Sequence, residues 1–193
     1  MLDGGAGNDE LRGGGGIDTV RFTEGSEYSP GVVVNLNDGT VQGGALFGDD
    51  RLFEIENVSG TSGNDLLFGN AAANVLTGGA GYDRLIGFGG ADRFVFASRY
   101  DSNGKAPDFI GDFSHAQGDR IDLRAIDANE QLDGDQAFQF IGNQEFTALG
   151  QVRAYQDDGH TVLEINTTDM FQGADMIVVI DPSVTLQARD FLL

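Results

Sequence analysis

Aspartates recur in this sequence behind glycines at a fixed offset. Gly4-Gly5-Ala6-Gly7-Asn8-Asp9-Glu10-Leu11-Arg12 runs directly into Gly13-Gly14-Gly15-Gly16-Ile17-Asp18-Thr19-Val20-Arg21, and the same frame returns as Gly78-Gly79-Ala80-Gly81-Tyr82-Asp83-Arg84-Leu85-Ile86. Looser copies occupy Gly60 to Phe68, Gly69 to Thr77 and Gly87 to Val95. The template is G-G-x-G-x-D-x-U-x, where U is a large apolar residue: Leu11, Val20, Leu67, Leu76, Leu85 and Phe94. Glycines tolerate positive φ and let carbonyls turn inward, while each turn adds one carboxylate. Stacked turns of this kind form an oxygen cage. Hard oxygen donors without imidazole or thiolate select Ca²⁺ over zinc or copper. A flexible linker would not hold an aspartate and a core-sized residue at constant offsets.

Other chemistries find little support. The chain has no cysteine and only two histidines, His115 and His160, both in polar, turn-like contexts read as surface. Disulfides, thiolate zinc sites and cysteine nucleophiles are therefore excluded. No His-Glu-x-x-His, no G-x-S-x-G elbow and no P-loop occurs. Carboxylate pairs are plentiful, but the repeats already account for them, so the chain reads as non-catalytic. With 31 acidic against 11 basic residues the net charge is −20, which repels phosphate backbones and anionic lipid heads and attracts cations. Nucleic acid is thus not an expected partner. No apolar run approaches the roughly 18 residues of a membrane span, and Met1 to Gly5 shows no cleavable signal. Because the first residues fall in mid-pattern, the chain is expected to be a piece of a longer protein.

The elements that must position these aspartates follow from the period. In each unit the glycine-rich part makes a turn, and x-U-x makes a short strand with U facing inward. Two units complete one coil of a flattened right-handed helix, so units n and n+2 stack on the same side. The expected fold is all-β: a right-handed parallel β-roll of nonapeptide repeats, capped by a C-terminal antiparallel β-sheet region. Two domains are expected, a roll over 1–95 and a capping domain over 96–193. Residues 22–59 lose the period and read as a β insert within the roll, with strands at Gly31 to Leu36 and Leu52 to Val58. Beyond Phe96 glycine thins, and strands are expected at 109–113, 120–123, 137–141, 152–155, 161–165 and 175–180. Such a sheet would cover the open edge of the roll.

The nonapeptides resemble the repeats-in-toxin (RTX) family, whose β-helix repeats bind calcium. In that family the ligands are carbonyls at the second and fourth positions and the carboxylate at the sixth. The resemblance implies one site from Thr61, Gly63 and Asp65 with Gly79, Gly81 and Asp83. It implies a second from Asn70, Ala72 and Asn74 with Phe88, Gly90 and Asp92. Asn74 in place of aspartate removes a formal charge and should weaken that second site. Gly5, Gly7, Asp9, Gly14, Gly16 and Asp18 would form upstream turns, for which the sequence shows no n+2 partner nearby. The insert also resembles those found between RTX blocks, ending in the phrase Ile55 to Gly60.

From Ala91 the chain resembles the C-terminal domain of the serralysin metalloproteases. The phrases are Ala91-Asp92-Arg93-Phe94-Val95-Phe96, Asp108-Phe109-Ile110-Gly111-Asp112-Phe113, Gly118-Asp119-Arg120-Ile121-Asp122-Leu123 and the ending Asp190-Phe191-Leu192-Leu193. Acidic residues at Asp101 and Asp108 complete a calcium site in relatives, while Asp112, Asp119 and Asp122 read as caps or turns. Asn166 to Asp169 is less acidic than in relatives, and no ion is placed there. The ending resembles the uncleaved signal read by type I ABC exporters; the bland reading of Asp190, Phe191, Leu192 and Leu193 is an edge strand. The resemblance implies a calcium-dependent folding and secretion module of an extracellular protein, with a catalytic or effector domain upstream. Two alternatives stand beside it: a module binding an anionic polysaccharide, as in alginate epimerases, with Arg12, Arg21, Arg51, Arg84 and Arg93 as its basic stripe, and a structural spacer of an adhesin.

Overall fold

The computed structural model describes residues 1–22, 29–168 and 173–193. Strands β1 (Glu10–Arg12), β2 (Thr19–Arg21), β3 (Val33–Asn35) and β4 (Thr40–Gln42) precede a single helical turn, α1 (Gly44–Phe47). Then come β5 (Arg51–Phe53), β6 (Asn57–Ser59), β7 (Leu66–Asn70), β8 (Val75–Thr77), β9 (Arg84–Phe88), β10 (Arg93–Val95), β11 (Asp108–Ile110) and β12 (Arg120–Asp122). The last are β13 (Gln139–Phe140), β14 (Gln151–Asp157), β15 (His160–Asn166), β16 (Met176–Ile180) and β17 (Phe191–Leu192).

Successive repeat strands alternate between two sheets. One has 11 strands in the order β1-β5-β4-β3-β7-β9-β11-β16-β15-β14-β13; the other has 6, in the order β17-β12-β10-β8-β6-β2. Leu67 pairs with Leu85 and Leu76 with Phe94, both in parallel register. This is the n to n+2 stacking that the nine-residue period requires, and it makes a parallel β-roll. The U residues Leu11, Val20, Leu67, Leu76, Leu85 and Phe94 all lie in one buried core that continues through Ile110, Ile121, Leu163 and Val178 to Phe191. Each repeat strand contributes only one or two inward side chains, so the core of the roll is a single file of apolar layers rather than a broad interior.

One expectation needs correction. The strand read over Leu52 to Val58 is two strands in different sheets, β5 and β6, separated at Glu54, whose φ is 56°. The alternation of Phe53, Ile55 and Asn57 imitates one strand, but the chain there turns a corner of the roll. The C-terminal half carries the expected antiparallel region, β14, β15 and β16, and also lengthens the roll: β11 continues β9, β12 continues β10 and β17 adds to β12, all in parallel.

Candidate metal centre

The acidic turns stack so that each main-chain amide meets the carboxylate of the next turn. Along one edge Asp65 N donates to Asp83 Oδ1 at 2.7 Å, and Asp83 N to Asp108 Oδ1 at 2.9 Å. Along the other, Asn74 N donates to Asp92 Oδ1 at 2.8 Å and Asp92 N to Asp119 Oδ1 at 2.9 Å. The glycine template has two physical causes. Gly78 and Gly87 leave room for the aspartate of their own repeat, since a Cβ on either would lie 2.2 Å from Asp83 Oδ2 or Asp92 Oδ2. Gly79 and Gly81 sit at φ 101° and 129°, and a Cβ there would lie 2.0 Å from Thr61 O and 2.4 Å from Gly63 O. Gly90 likewise backs onto Ala72 O. The carbonyls of Thr61, Gly63 and Ala72 thus face the next turn, as the stacking requires.

Six of the acidic turn residues keep one oxygen over. Asp9, Asp18, Asp50, Asp83, Asp92 and Asp108 each keep Oδ2 buried and without a hydrogen-bond partner. Burial, then the charge of Asp108, raises Asp83 to about 9, and burial raises Asp108 to about 8 and Asp92 to about 6. Burial also raises Asp50, Asp101 and Asp119. Among the described residues no three acidic or imidazole side chains converge on one point, so any ion would take a mixture of carboxylate and main-chain oxygen. Orphaned, water-excluded carboxylate oxygens beside glycine turns fit a hard divalent cation, and no nitrogen or sulfur donor competes.

The raised values set the pH response of the metal-free chain. These groups bind protons more tightly folded than unfolded, so their contribution is full below the unfolded value of 3.8 and is lost as pH rises through about 6, 8 and 9. Metal-free protein should therefore gain β signal in far-UV circular dichroism as pH is lowered through that range, protons standing in for the missing cation. A signal that is flat or falls there would contradict the assignment.

The predicted residues do not behave alike. Asp65 already accepts from Val32 N, Thr61 N and Thr61 Oγ1, fewer bonds than the roughly four lone-pair sites of a carboxylate. Asp101 takes Ala97 N and Ser98 N on one oxygen and adds to the field on Asp83 and Asp108. Asn74 is satisfied through Asn70 N and Glu56 O, leaving no orphaned oxygen in its turn. Asn70 O accepts Gly89 N, and Phe88 adopts φ 66° with its ring stacked on Phe68.

Gly5, Gly7, Gly14 and Gly16 have φ of 73°, 115°, 82° and 121° with open space where a Cβ would be. Contrary to the sequence reading, their turns do have partners, and the insert supplies them. Asp9 N donates to Asp50 Oδ1 and Asp18 N to Glu56 Oε2, each at 2.8 Å. Asp50 and Asp119 are ladder carboxylates that the sequence reading missed. A Gly-Asp-x-U phrase, Gly118 to Ile121, marked Asp119, whereas Asp50 follows a second aspartate. Asp122 is a capping residue as expected, held low first by its hydrogen bonds to Arg124.

At the chain end Asp190 is fully buried. Its Oδ1 lies 2.8 Å from His115 Nδ1, and His115 Nε2 lies 3.1 Å from Thr185 O, so His115 is a tie rather than a free surface residue. Asp175 closes the loop after β15 by accepting from Thr167 and Thr168, and Asp169 lies outside the described residues. The expected arginine stripe divides between sheets: Arg12, Arg51 and Arg84 on one, Arg21 and Arg93 on the other. No helix among the described residues is long and apolar enough to cross a membrane.

Comparison with known proteins follows the same lines. Residues 10–193 match the family described as peptidase M10 serralysin C terminal. The metalloprotease AprA of Pseudomonas entomophila is 49% identical over 128 residues, 60% of this chain and 26% of that protein. A serralysin of Photorhabdus luminescens is 41% identical over 168 residues, 80% of this chain and 31% of its own length. The chain therefore spans less than a third of these relatives. The solution structure of the AlgE6R3 subunit from the Azotobacter vinelandii mannuronan C5-epimerase is similar at 30% identity and a TM-score of 0.41, covering 71% of this chain and 77% of that one.

Proposed function

The chain belongs to the peptidase M10 serralysin C-terminal family, and from that premise we propose that it is a calcium-folded secretion module, the non-catalytic C-terminal part of a larger extracellular enzyme. The supporting observation is the set of buried aspartate oxygens without partners, repeated turn after turn. The residues that would hold calcium are Thr61, Gly63 and Asp65 with Gly79, Gly81 and Asp83, then Asp83 with Asp101 and Asp108. A weaker position falls at Asn70, Ala72 and Asn74 with Phe88, Gly90 and Asp92. Bound calcium would supply the positive charge and oxygen coordination that the stacked carboxylates lack.

The chain's own residues do the remainder. Apolar layers exclude water from the turns, and the amide-to-carboxylate ladder fixes the stacking. The roll over 1–95 is continued and closed by 96–193. Extracellular calcium modules bind with Kd of roughly 10⁻⁴ to 10⁻³ M, so at cytosolic calcium near ~0.1 μM the gain from binding is essentially zero. The chain would then remain unfolded inside the cell, its repelling carboxylates and glycine turns opposing order. It would pass a type I ABC exporter led by its C-terminus and fold outside. The test is far-UV circular dichroism during a calcium titration from chelator, repeated with magnesium. A cooperative gain of β signal with calcium alone is expected, and a fully folded spectrum in chelator would overturn the reading.

A further inference from the structure

The outer faces of the two sheets are unlike each other. Across the smaller sheet one register row reads Thr19, Asn57, Val75, Arg93 and Arg120, a largely polar line. Across the larger sheet a row reads Val33, Leu66, Arg84, Phe109, Val179 and Val162. Leu67, Leu85, Ile110, Val178 and Leu163 point into the core, so these neighbours point outward. Phe68 and Ile86 form the next row, and Phe88, 47% exposed, stacks on the Phe68 ring. Six strands at about 4.8 Å spacing make this band about 24 Å wide. A contiguous apolar band of that width on a sheet face marks an interaction surface.

Arg84 is the cation of this band. Its guanidinium lies 4.7 Å over the Phe109 ring and makes no ion pair among the described residues, although the chain carries a net charge of −20. Whatever covers the band must therefore bring Arg84 a carboxylate. Face-to-face pairing of two such bands would bury two arginines without partners, which is unfavourable.

The chain itself carries the complementary surface. Leu132 is 58% exposed, and it is followed by exposed Asp133 and Asp135, neither of which makes an ion pair among the described residues. Their loop is held in shape. Asp127 Oδ1 accepts Asn129 N at 3.0 Å and Gln136 N at 3.2 Å, and Gln131 Nε2 donates to Thr168 O at 3.0 Å. A large apolar side chain beside unpaired carboxylates is what the band lacks, and ordering the loop beforehand lowers the cost of docking it.

We propose that the outer face of the larger sheet docks the 129–135 loop of a second copy of this chain, Leu132 resting on the apolar band and Asp133 and Asp135 meeting Arg84. The contact uses two different patches. Each copy that docks still offers its own band and loop, so assembly continues beyond a dimer unless the rotation closes a ring. Salt screens the net charge of the two copies beyond roughly 8 Å, whereas the arginine–aspartate pair forms at contact.

Sedimentation velocity of the full chain in calcium, from micromolar to millimolar protein, tests this, with far-UV circular dichroism to show that each sample is folded. The parent chain is expected to grow in mass with concentration. Leu132→Ser and Asp133→Arg change exposed loop side chains, and Arg84→Glu changes the band. Each alone is expected to associate roughly tenfold more weakly or worse. A mixture of Arg84→Glu with Asp133→Arg is expected to associate more tightly than either variant alone, because one copy supplies an intact band and the other an intact loop. A parent chain that stays monomeric throughout overturns the proposal and leaves the band to a different partner. Association that falls in Arg84→Glu but is unchanged in both loop variants also overturns it, and assigns the band to face-to-face pairing. Should Arg84→Glu not fold, Leu132→Ser and Asp133→Arg decide the matter. None of these outcomes depends on whether calcium is needed for folding.

Discussion

Stripping calcium from the folded chain is expected to cost about 4 kcal/mol and to leave most molecules unfolded at room temperature. At about 1 mM free ion and a Kd of about 0.1 mM, each site contributes roughly 1.4 kcal/mol by mass action. Three sites together give on the order of 4 kcal/mol, close to the whole stability of a marginal domain. With a urea slope of about 2 kcal/mol/M, the midpoint should fall by roughly 2 M between millimolar calcium and chelator. Magnesium should not restore it, because it dehydrates reluctantly and demands near-octahedral geometry. An unchanged midpoint would leave a β domain whose calcium is incidental.

The size of that effect rests on where the aspartates sit. Asp83 is fully buried, receives Asp65 N and donates its own amide to Asp108, so it stands in the middle of a line of like charges. Removing a neighbouring ion leaves such a carboxylate either protonated or repelled. Asp92 on the opposite edge has Asn74 before it in the line, and the Asn74 amide is satisfied without an ion. The two edges of the roll should accordingly differ in calcium affinity, with the Asp65–Asp83–Asp108 edge binding first.

The repeat period made the core and half of the ladder readable, because one glycine pattern and one apolar residue per unit are local features. Leu67, Leu76, Leu85 and Phe94 are buried as that pattern requires. What escaped was decided by long-range closure. Asp50 meets Asp9 across 41 residues, and a chain segment that returns after an aperiodic insert leaves no periodic trace. Glu54 escaped for the opposite reason: alternation of apolar and acidic residues is a true strand signal, and only the left-handed conformation at that residue shows that the chain changes sheet. His115 looked like a polar turn residue because its partner Asp190 lies 75 residues away.

Deleting Asp190, Phe191, Leu192 and Leu193 is expected to abolish export and to loosen the folded module, and the structure shows how to separate these effects. Phe191 is 6% exposed against the Phe140 ring, and Leu192 O accepts Leu123 N at 2.9 Å, so the motif is also the last strand of the smaller sheet. Losing a buried phenylalanine costs about 3–5 kcal/mol. His115→Ala leaves the last four residues untouched but strips Asp190 Oδ1 of its partner, a change worth about 1–3 kcal/mol. That variant should be less stable in urea yet exported as well as the parent, because a chain led through an exporter unfolded has not yet formed the His115–Asp190 contact. Asp190→Ala should lose both stability and export. If His115→Ala stops export as completely as the deletion, the exporter reads the docked strand rather than the linear sequence. Folding inside the cell would then be required for secretion, which is incompatible with a calcium-gated module. If its export persists, the folded state merely conceals the signal: with Asp190 fully buried, calcium-driven folding outside removes the motif from reach and makes passage one-way.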